Sequence, residues 1–130
     1  MRYLLDVNVL IAYGYRKHGF HDQVGSWMRG QKDAHFLTCS ITELGFVRIL
    51  ENVRTYGMDV VHARSLLVEM KAWKTHPLEF LPDDNDISSL PAWVKTSAQT
   101  TDGHLLQLAN AHGAVLATLD EKIPGAFLIP

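Results

Sequence analysis

The chain opens with Arg2-Tyr3-Leu4-Leu5-Asp6-Val7-Asn8-Val9-Leu10-Ile11, an apolar run of strand length that ends in a carboxylate and passes at once into helical spacing. In an open α/β sheet, strands deliver their last residues to the crevice where ligands bind. Asp6 is therefore placed where an active site would be expected. Aspartate is also a preferred N-cap, and Asp6 taken alone favours a simple helix cap. The rest of the chain has to decide between these two interpretations.

Length and composition predict one soluble domain over residues 1–130. The chain is 47% hydrophobic and 20% charged, which is typical of a globular protein with a single core. The formal net charge of −2 neither supports nor excludes a polyanionic substrate, because a few clustered acids can mask a basic rim. Cys39 is the only cysteine, which excludes an intrachain disulfide and favours the cytoplasm. No apolar stretch has the length of a signal peptide or a membrane span, so no membrane association is expected.

Strand-like and helix-like patterns alternate along the whole chain. After the opening strand, further strands are predicted at 35–39, 77–82, 114–118 and 126–129, with 77–82 at a sheet edge because prolines bound it. Helices are predicted at 7–13, 21–30, 40–50, 60–73, 87–93 and 100–111. In the helix that begins at Ser40, Leu44, Val47 and Leu50 form the expected apolar face. This alternation predicts an α/β fold with a mostly parallel sheet and helices on both faces.

Four acidic residues occupy equivalent places in this predicted fold. Asp6 and Asp120 follow the carboxyl ends of strands, while Glu43 and Asp102 lie in the first turns of helices, and these places share one edge of a parallel sheet. Each acid also has a purely structural explanation. Glu43 could complete a capping box with Ser40, Asp102 could complement the helix dipole, and Asp120 could be a turn residue.

The four acids together point to a metal ion. Two carboxylates about 4 Å apart repel each other by roughly 4 kcal/mol at an effective dielectric near 20. Converging carboxylates would therefore need protons or a cation. Hard oxygen ligands without histidine or thiolate select Mg²⁺ or Mn²⁺ rather than zinc. A divalent ion at the mouth of an α/β sheet predicts metal-dependent phosphate chemistry.

Four segments carry a resemblance to a known family, namely 4–11, 40–44, 100–109 and 116–120. In this order they resemble the PIN-domain family, and within it the VapC-type ribonuclease toxins of bacterial toxin–antitoxin pairs. The resemblance implies a three-layer α/β/α PIN-like domain that cleaves RNA endonucleolytically. It also implies a Mg²⁺ or Mn²⁺ cofactor, a small cognate antitoxin protein as partner, and a homodimer.

The resemblance assigns roles to individual residues. The family's four catalytic acids match Asp6, Glu43, Asp102 and Asp120, and its polar helpers that orient them match Asn8 and Thr118. A further acid that the family often carries after the third one is absent, because Gly103 and His104 follow Asp102. In the resulting mechanistic hypothesis, a metal-activated water attacks the phosphodiester. Its metal ligands are Asp6, Asp102 and Asp120, while Glu43 is either a further ligand or holds the water.

Candidate RNA contacts are Arg16, Lys17 and Arg48, although solvated surface charge is the favoured explanation for each. His18 follows the first two in the same loop and could also border the acidic mouth.

Three alternatives remain open at this point. The first is a housekeeping PIN nuclease that acts in RNA processing. The second is a phosphatase with an aspartyl nucleophile, although such enzymes usually carry a second aspartate where this chain has Asn8. The third is a non-enzymatic binding module with an apolar groove formed by Phe46, Ile49, Leu50 and the helix over 60–73, for which ordinary core packing is the preferred interpretation.

Overall fold

The computed structural model describes residues 1–130 as alternating strands and helices. The strands are β1 (Arg2–Leu5), β2 (His35–Thr38), β3 (Leu78–Phe80), β4 (Val115–Thr118) and β5 (Phe127–Leu128). The α-helices are α1 (Val7–Gly14), α2 (His21–Gly30), α3 (Ser40–Asn52), α4 (Val60–Lys71) and α5 (Thr100–Ala111). None of these helices is long and apolar enough to cross a lipid bilayer.

The five strands form one sheet in the order β3-β2-β1-β4-β5, and every pairing is parallel. Leu4 of the central strand β1 pairs with Leu37 on one side and with Leu116 on the other. The prediction of a mostly parallel sheet is confirmed, as is the edge position of the proline-bounded strand β3. Because β1 and β4 are neighbours, the residues that follow them meet at one edge.

The side chains of β1 alternate between two cores, one on each face of the sheet. Tyr3 and Leu5 pack with apolar residues of α1, α2, α3 and α4, around the fully buried Phe46. Leu4 points the other way and packs with α5, where Leu105 and Leu108 are fully buried. Because successive side chains of a strand point to opposite faces, β1 packs against four helices on one face of the sheet and against one helix on the other. The predicted three-layer α/β/α architecture is confirmed.

Local chemistry fixes the helix ends that position the site. Asp6 is the N-cap of α1 and accepts a hydrogen bond from the Val7 amide at 2.8 Å, so its capping role is real. Asp59 caps α4 in the same way through the His62 amide. After α5, Gly113 adopts a φ of +65°, the left-handed conformation that ends helices and that glycine tolerates best.

Two predictions about α3 are wrong. The N-cap of α3 is Cys39 rather than Ser40, and the Thr42 hydroxyl bonds to the Cys39 backbone to close the capping box, so Glu43 takes no part in it. The helix begins at Ser40, as predicted, so its N-cap is the preceding residue and Thr42 is the third helical residue, the position that faces the cap. Leu44, expected on the apolar face, has 65% of its surface exposed.

The predicted helix over 87–93 is also wrong. The structure contains only a short 3-10 turn, Ile87–Ser89, capped by the Asp86 carboxylate. Pro91 stops it, because proline has no amide hydrogen to donate and forces the preceding residue, Leu90, into extended backbone at ψ 135°.

Candidate active site

The first acid, Asp6, is buried at the carboxyl end of the central strand, with only 6% of its surface exposed. Both carboxylate oxygens are held. Oδ1 accepts the Val7 amide at 2.8 Å, and Oδ2 accepts the Thr118 hydroxyl at 2.7 Å. The Asp6 amide continues the sheet by donating to the carbonyl of Ala117 at 3.0 Å. The carboxylate therefore has a fixed orientation at the edge where β1 and β4 end.

Thr118 and Asn8 connect Asp6 to Asp120. The Thr118 hydroxyl accepts the Asp120 amide at 3.0 Å, so one side chain orients the first acid and the turn that carries the last one. The Asn8 amide group donates to the same hydroxyl at 3.4 Å, and its carbonyl oxygen accepts the Leu119 amide at 3.2 Å. The two predicted helper residues thus form one hydrogen-bonded unit that joins the start of α1 to the end of β4.

Three of the predicted acids line a single open cleft of about 330 Å³, which we call the acidic cleft. Its lining residues are Asp6, Val7, Asn8, Ile11, His18, Ile49, Tyr56, Asp102 and Asp120. No lysine or arginine is among them. The structure therefore gathers three carboxylates where no permanently cationic side chain neutralises them.

The electrostatics of the cleft reflect this crowding. Burial raises the pKa of Asp6, and the charge of Asp120 raises it further, while the hydrogen bonds from Thr118 and Val7 oppose the rise. Burial also raises the pKa of Asp102, and the charges of Asp6 and Asp120 add to that effect. The three carboxylates are thus close enough to repel one another, although no group of three or more His, Cys, Asp or Glu side chains forms a ready-made metal site.

The fourth predicted acid, Glu43, does not line the acidic cleft. Its carboxylate accepts a hydrogen bond from the Thr38 hydroxyl at 2.5 Å and pairs with the Lys71 ammonium at 2.7 Å. This pair is largely buried, with 23% of the Glu43 side chain and 29% of the Lys71 side chain exposed. In this conformation Glu43 is engaged at the end of β2 rather than shared with the three aspartates.

The candidate RNA contacts separate into two groups. Arg16 and Lys17 are exposed and line a second, larger cavity, whereas Arg48 is exposed and lines neither that cavity nor the acidic cleft. His18 borders the acidic cleft, at the place considered for it from the sequence. Burial lowers the pKa of His18 and the neighbouring His21 lowers it further, so this imidazole does not offset the charge of the acids near neutral pH.

A close contact of α5 accounts for the glycine that follows the third acid. A Cβ atom at Gly103 would collide with Val94 and approach Pro91 at 3.4 Å. The helix therefore packs against the preceding loop too closely for any larger side chain. An acidic side chain at position 103 would therefore require that loop to move.

Sequence reasoning missed several residues that shape the site. Lys71 and Thr38 hold Glu43, and Tyr56 and Ile49 line the acidic cleft. Lys71 lies 28 residues from Glu43, and no spacing rule joins such a pair. Tyr56 follows α3 in an irregular segment, so no sequence periodicity predicts which way its side chain points. The packing of α3 against α4 brings Lys71 to Glu43.

Known proteins are similar in sequence to nearly the whole chain. Ribonuclease VapC38 of Mycobacterium tuberculosis is 36% identical over 124 residues, which covers 92% of this chain and 86% of that protein. Ribonuclease VapC44 of the same species is 36% identical over 138 residues, with 97% and 94% covered. No family model matches the chain.

A solved structure shares the fold. The crystal structure of VapBC2 from Rickettsia felis, bound to a DNA fragment from their promoter, matches with a TM-score of 0.62 at 14% identity. The match covers 98% of this chain and 97% of that chain, so the same fold extends from end to end. Several VapC proteins are more than 30% identical to this chain over nearly their full length, and the fold is the same. These two findings together establish the family. The chain belongs to the VapC family of PIN-domain proteins.

Proposed function

We propose that the protein is an endoribonuclease that depends on a divalent cation, and that it is the toxin of a toxin–antitoxin pair. The observation that carries the proposal is the acidic cleft, in which Asp6, Asp102 and Asp120 face one space without a lysine or arginine. Ribonuclease is the activity named for the VapC relatives. RNA phosphodiesters are therefore the substrate class that the site and the family favour together.

The donor set fits a hard cation. The three aspartates offer only carboxylate oxygens, which suit Mg²⁺ or Mn²⁺, and their mutual repulsion gives a cation a favourable place to bind. When bound, such an ion supplies positive charge for a phosphate group and makes a water molecule more acidic.

The chain's own residues supply orientation. Thr118 and the Val7 amide hold both oxygens of Asp6, so this carboxylate needs little reorganisation when substrate binds. Asn8 fixes Thr118 and the backbone that leads to Asp120. Glu43, held by Lys71, would join the site only if that ion pair rearranges.

The direct test is RNA cleavage by the purified protein with Mg²⁺ or Mn²⁺, with EDTA, and in an Asp102→Asn variant that keeps the side-chain size. Wild-type protein should cleave only with the ion, and Asp102→Asn should lose most of its activity. Asp84→Asn is the matched control, because Asp84 is exposed and bonds to His112 outside the cleft. Cleavage by Asp102→Asn at the wild-type rate would contradict the assignment of the active site. Full activity of the wild-type protein in EDTA would contradict the dependence on a divalent cation.

The phosphatase alternative is separable by chemistry. A phosphatase of that type would form a phosphoryl-aspartate at Asp6, whereas hydrolysis with a water nucleophile leaves no covalent intermediate. The VapC relatives carry ribonuclease names, which favours hydrolysis of phosphodiesters. Mass spectrometry of protein quenched with a phosphomonoester substrate would reveal an adduct of this kind.

We also propose an antitoxin partner and a homodimer in the cytoplasm. Several apolar side chains on α3 and α4 are exposed, which is typical of an interface. They are Leu44, Val60, Val61 and Val68.

The proposed groove residues Phe46 and Leu50 are instead buried in the core, as preferred from the sequence. Light scattering tests both assemblies, on the protein alone and after its coexpression with a small candidate antitoxin encoded by an adjacent gene. A monomer in each case contradicts them.

A further inference from the structure

We propose that a basic cavity beside the acidic cleft is a subsite for an unpaired nucleotide of the RNA, next to the bond that is cut. This inference rests on the proposed ribonuclease function. The cavity has a volume of about 830 Å³, compared with about 330 Å³ for the acidic cleft. It is lined by residues from the end of α1, the following loop, α2, α4 and the segment before β3.

The charge of the cavity is opposite to that of the cleft. Arg16, Lys17 and Arg29 line it and are all exposed, and Glu69 is the one acidic residue among its lining residues. The chain as a whole has a net charge of −2, so this concentration of positive charge is local. Lysine and arginine on such a surface attract the phosphate groups of nucleic acid without regard to sequence.

Aromatic side chains give the cavity a place for bases. Tyr15 and Trp73 line it and are half-buried, so each keeps exposed ring surface. Trp73 is held in place because its ring packs edge-on against Tyr13 at a centroid distance of 5.1 Å, and the Tyr13 hydroxyl donates to the carbonyl of His76. Aromatic rings next to cationic side chains are typical of surfaces that bind single-stranded RNA by stacking.

One polar atom in this region lacks a partner. His76 lines the cavity, and its Nε2 atom is buried without a hydrogen bond. Burial lowers the pKa of His76 and the charge of Arg29 lowers it further, so the ring is neutral near pH 7. Because this atom has almost no exposed surface, the cationic and aromatic side chains are the groups that would contact a nucleotide in the cavity.

A pair of tyrosines connects the lining of the cavity to the lining of the acidic cleft. Tyr15 lines the cavity and Tyr56 lines the cleft, and their rings pack edge-to-face with centroids 4.8 Å apart. One aromatic contact therefore joins a residue that lines the cavity to a residue that lines the cleft. An RNA strand that crosses this contact would place one phosphate at the aspartates and a neighbouring nucleotide in the cavity.

The test measures RNA binding in the Asp102→Asn background, which prevents cleavage. The probe is a fluorescein-labelled single-stranded RNA of about ten nucleotides with random sequence, a length within the range of known single-strand sites. Arg29→Gln should weaken binding severalfold, and should reduce the slope of log Kd against log salt by about 0.7 for one lost phosphate contact. Trp73→Leu should weaken binding without changing this slope, because it removes a stacking surface and no charge.

The matched control is Arg64→Gln, since Arg64 is also exposed but does not line the cavity. It should change neither the affinity nor the slope. Unchanged binding by both Arg29→Gln and Trp73→Leu, with melting temperatures that show intact folds, would overturn the subsite. If the same protein binds an acidic peptide and not RNA, and Arg29→Gln lowers that affinity, the cavity is a protein-docking site and the RNA assignment is wrong.

Failure of the subsite and failure of the proposed function give different results. A wild-type protein that cleaves RNA with Mg²⁺, while Arg29→Gln and Trp73→Leu leave the KM for that RNA unchanged, contradicts the subsite alone. A protein that binds RNA with the expected dependence on Arg29 and Trp73, yet cleaves no RNA, supports nucleotide binding in the cavity and contradicts the nuclease.

Discussion

Replacement of Asp102 by asparagine should make the protein more stable in metal-free buffer at neutral pH. Three carboxylates share the acidic cleft, and the charges of Asp6 and Asp120 both raise the pKa of Asp102. In metal-free buffer no cation offsets the repulsion among these three carboxylates. Asparagine keeps the size of the side chain and removes one of the repelling charges, so it should relieve part of that repulsion.

The size of the gain follows from Coulomb's law. Two carboxylates about 4 Å apart repel by about 4 kcal/mol at an effective dielectric of about 20 and by about 1 kcal/mol in bulk water, and the repulsion falls as their separation grows. Asp102 is only half-buried, so solvent screening favours the lower figure for each of its two repulsive interactions. Removing both should raise the free energy of unfolding by about 1–2 kcal/mol, which corresponds to roughly 3–7 °C in Tm for a domain of this size.

The pH dependence provides a second signature. Because the pKa of Asp102 is raised in the folded state, its charge costs no stability below the pKa of an unfolded aspartate, about 3.9. The cost grows as pH rises through the folded pKa and is complete above it. The stability difference between Asp102→Asn and wild type should therefore be near zero at about pH 3.5 and full at pH 7.

Urea and thermal unfolding in EDTA, from acidic to neutral pH, measure this difference. Mg²⁺ at ten times its Kd would stabilise wild type by about 1.4 kcal/mol, and the variant by less, so the gap should narrow when the ion is added. Asp84→Asn is the control, because a hydrogen bond from His112 lowers the pKa of Asp84 and its loss should bring no gain. An Asp102→Asn variant that is no more stable than wild type in EDTA would refute the reasoning.

Three further predictions concern the supports of the site. Thr118→Val should lower the free energy of unfolding by about 1–2 kcal/mol and raise the pKa of Asp6 further, because a buried carboxylate loses its hydrogen-bond donor. Thr118→Ser keeps the hydroxyl, so it should retain the wild-type stability in urea unfolding and the wild-type pKa in pH–rate profiles. Lys71→Met should lower the free energy of unfolding by about 1–2 kcal/mol in the same assay, because Glu43 keeps its charge without a partner. An unchanged free energy of unfolding would show that this ion pair does not stabilise the fold. Phe46→Ala should cost about 3–5 kcal/mol, as a fully buried ring leaves a cavity, and a loss under 1 kcal/mol would contradict its place in the core.

The fold was largely predictable because its signals are local. A strand of four residues, an aspartate cap and a helix follow one another between Arg2 and Gly14, and each step obeys a short-range rule. The proline-bounded segment before residue 83 was correctly expected at a sheet edge for the same reason. The errors also lie at local boundaries, where Cys39 capped α3 in place of Ser40 and where Pro91 cut a helix to a single turn.

The site was predictable to a smaller extent. The end of a parallel strand is a position that sequence can identify, so Asp6 and Asp120 were expected at the edge where the structure has them. The spacing of Glu43 placed it at that same edge, yet its carboxylate is taken by Lys71 rather than shared with the aspartates. The basic cavity gave no signal beyond Arg16 and Lys17, because its walls come from segments separated in the chain.

The sequence by itself determined the alternation of strands and helices, the order of the acids and the family to which they belong, because these depend on periodicity, caps and short motifs. Tertiary structure alone decided which acids face one cleft, which acid is held by a lysine, and which cations and aromatic rings surround the neighbouring cavity. The physical reason is that repulsion, ion pairing and burial depend on distances between side chains far apart in the chain. Packing sets those distances, and no local pattern contains them.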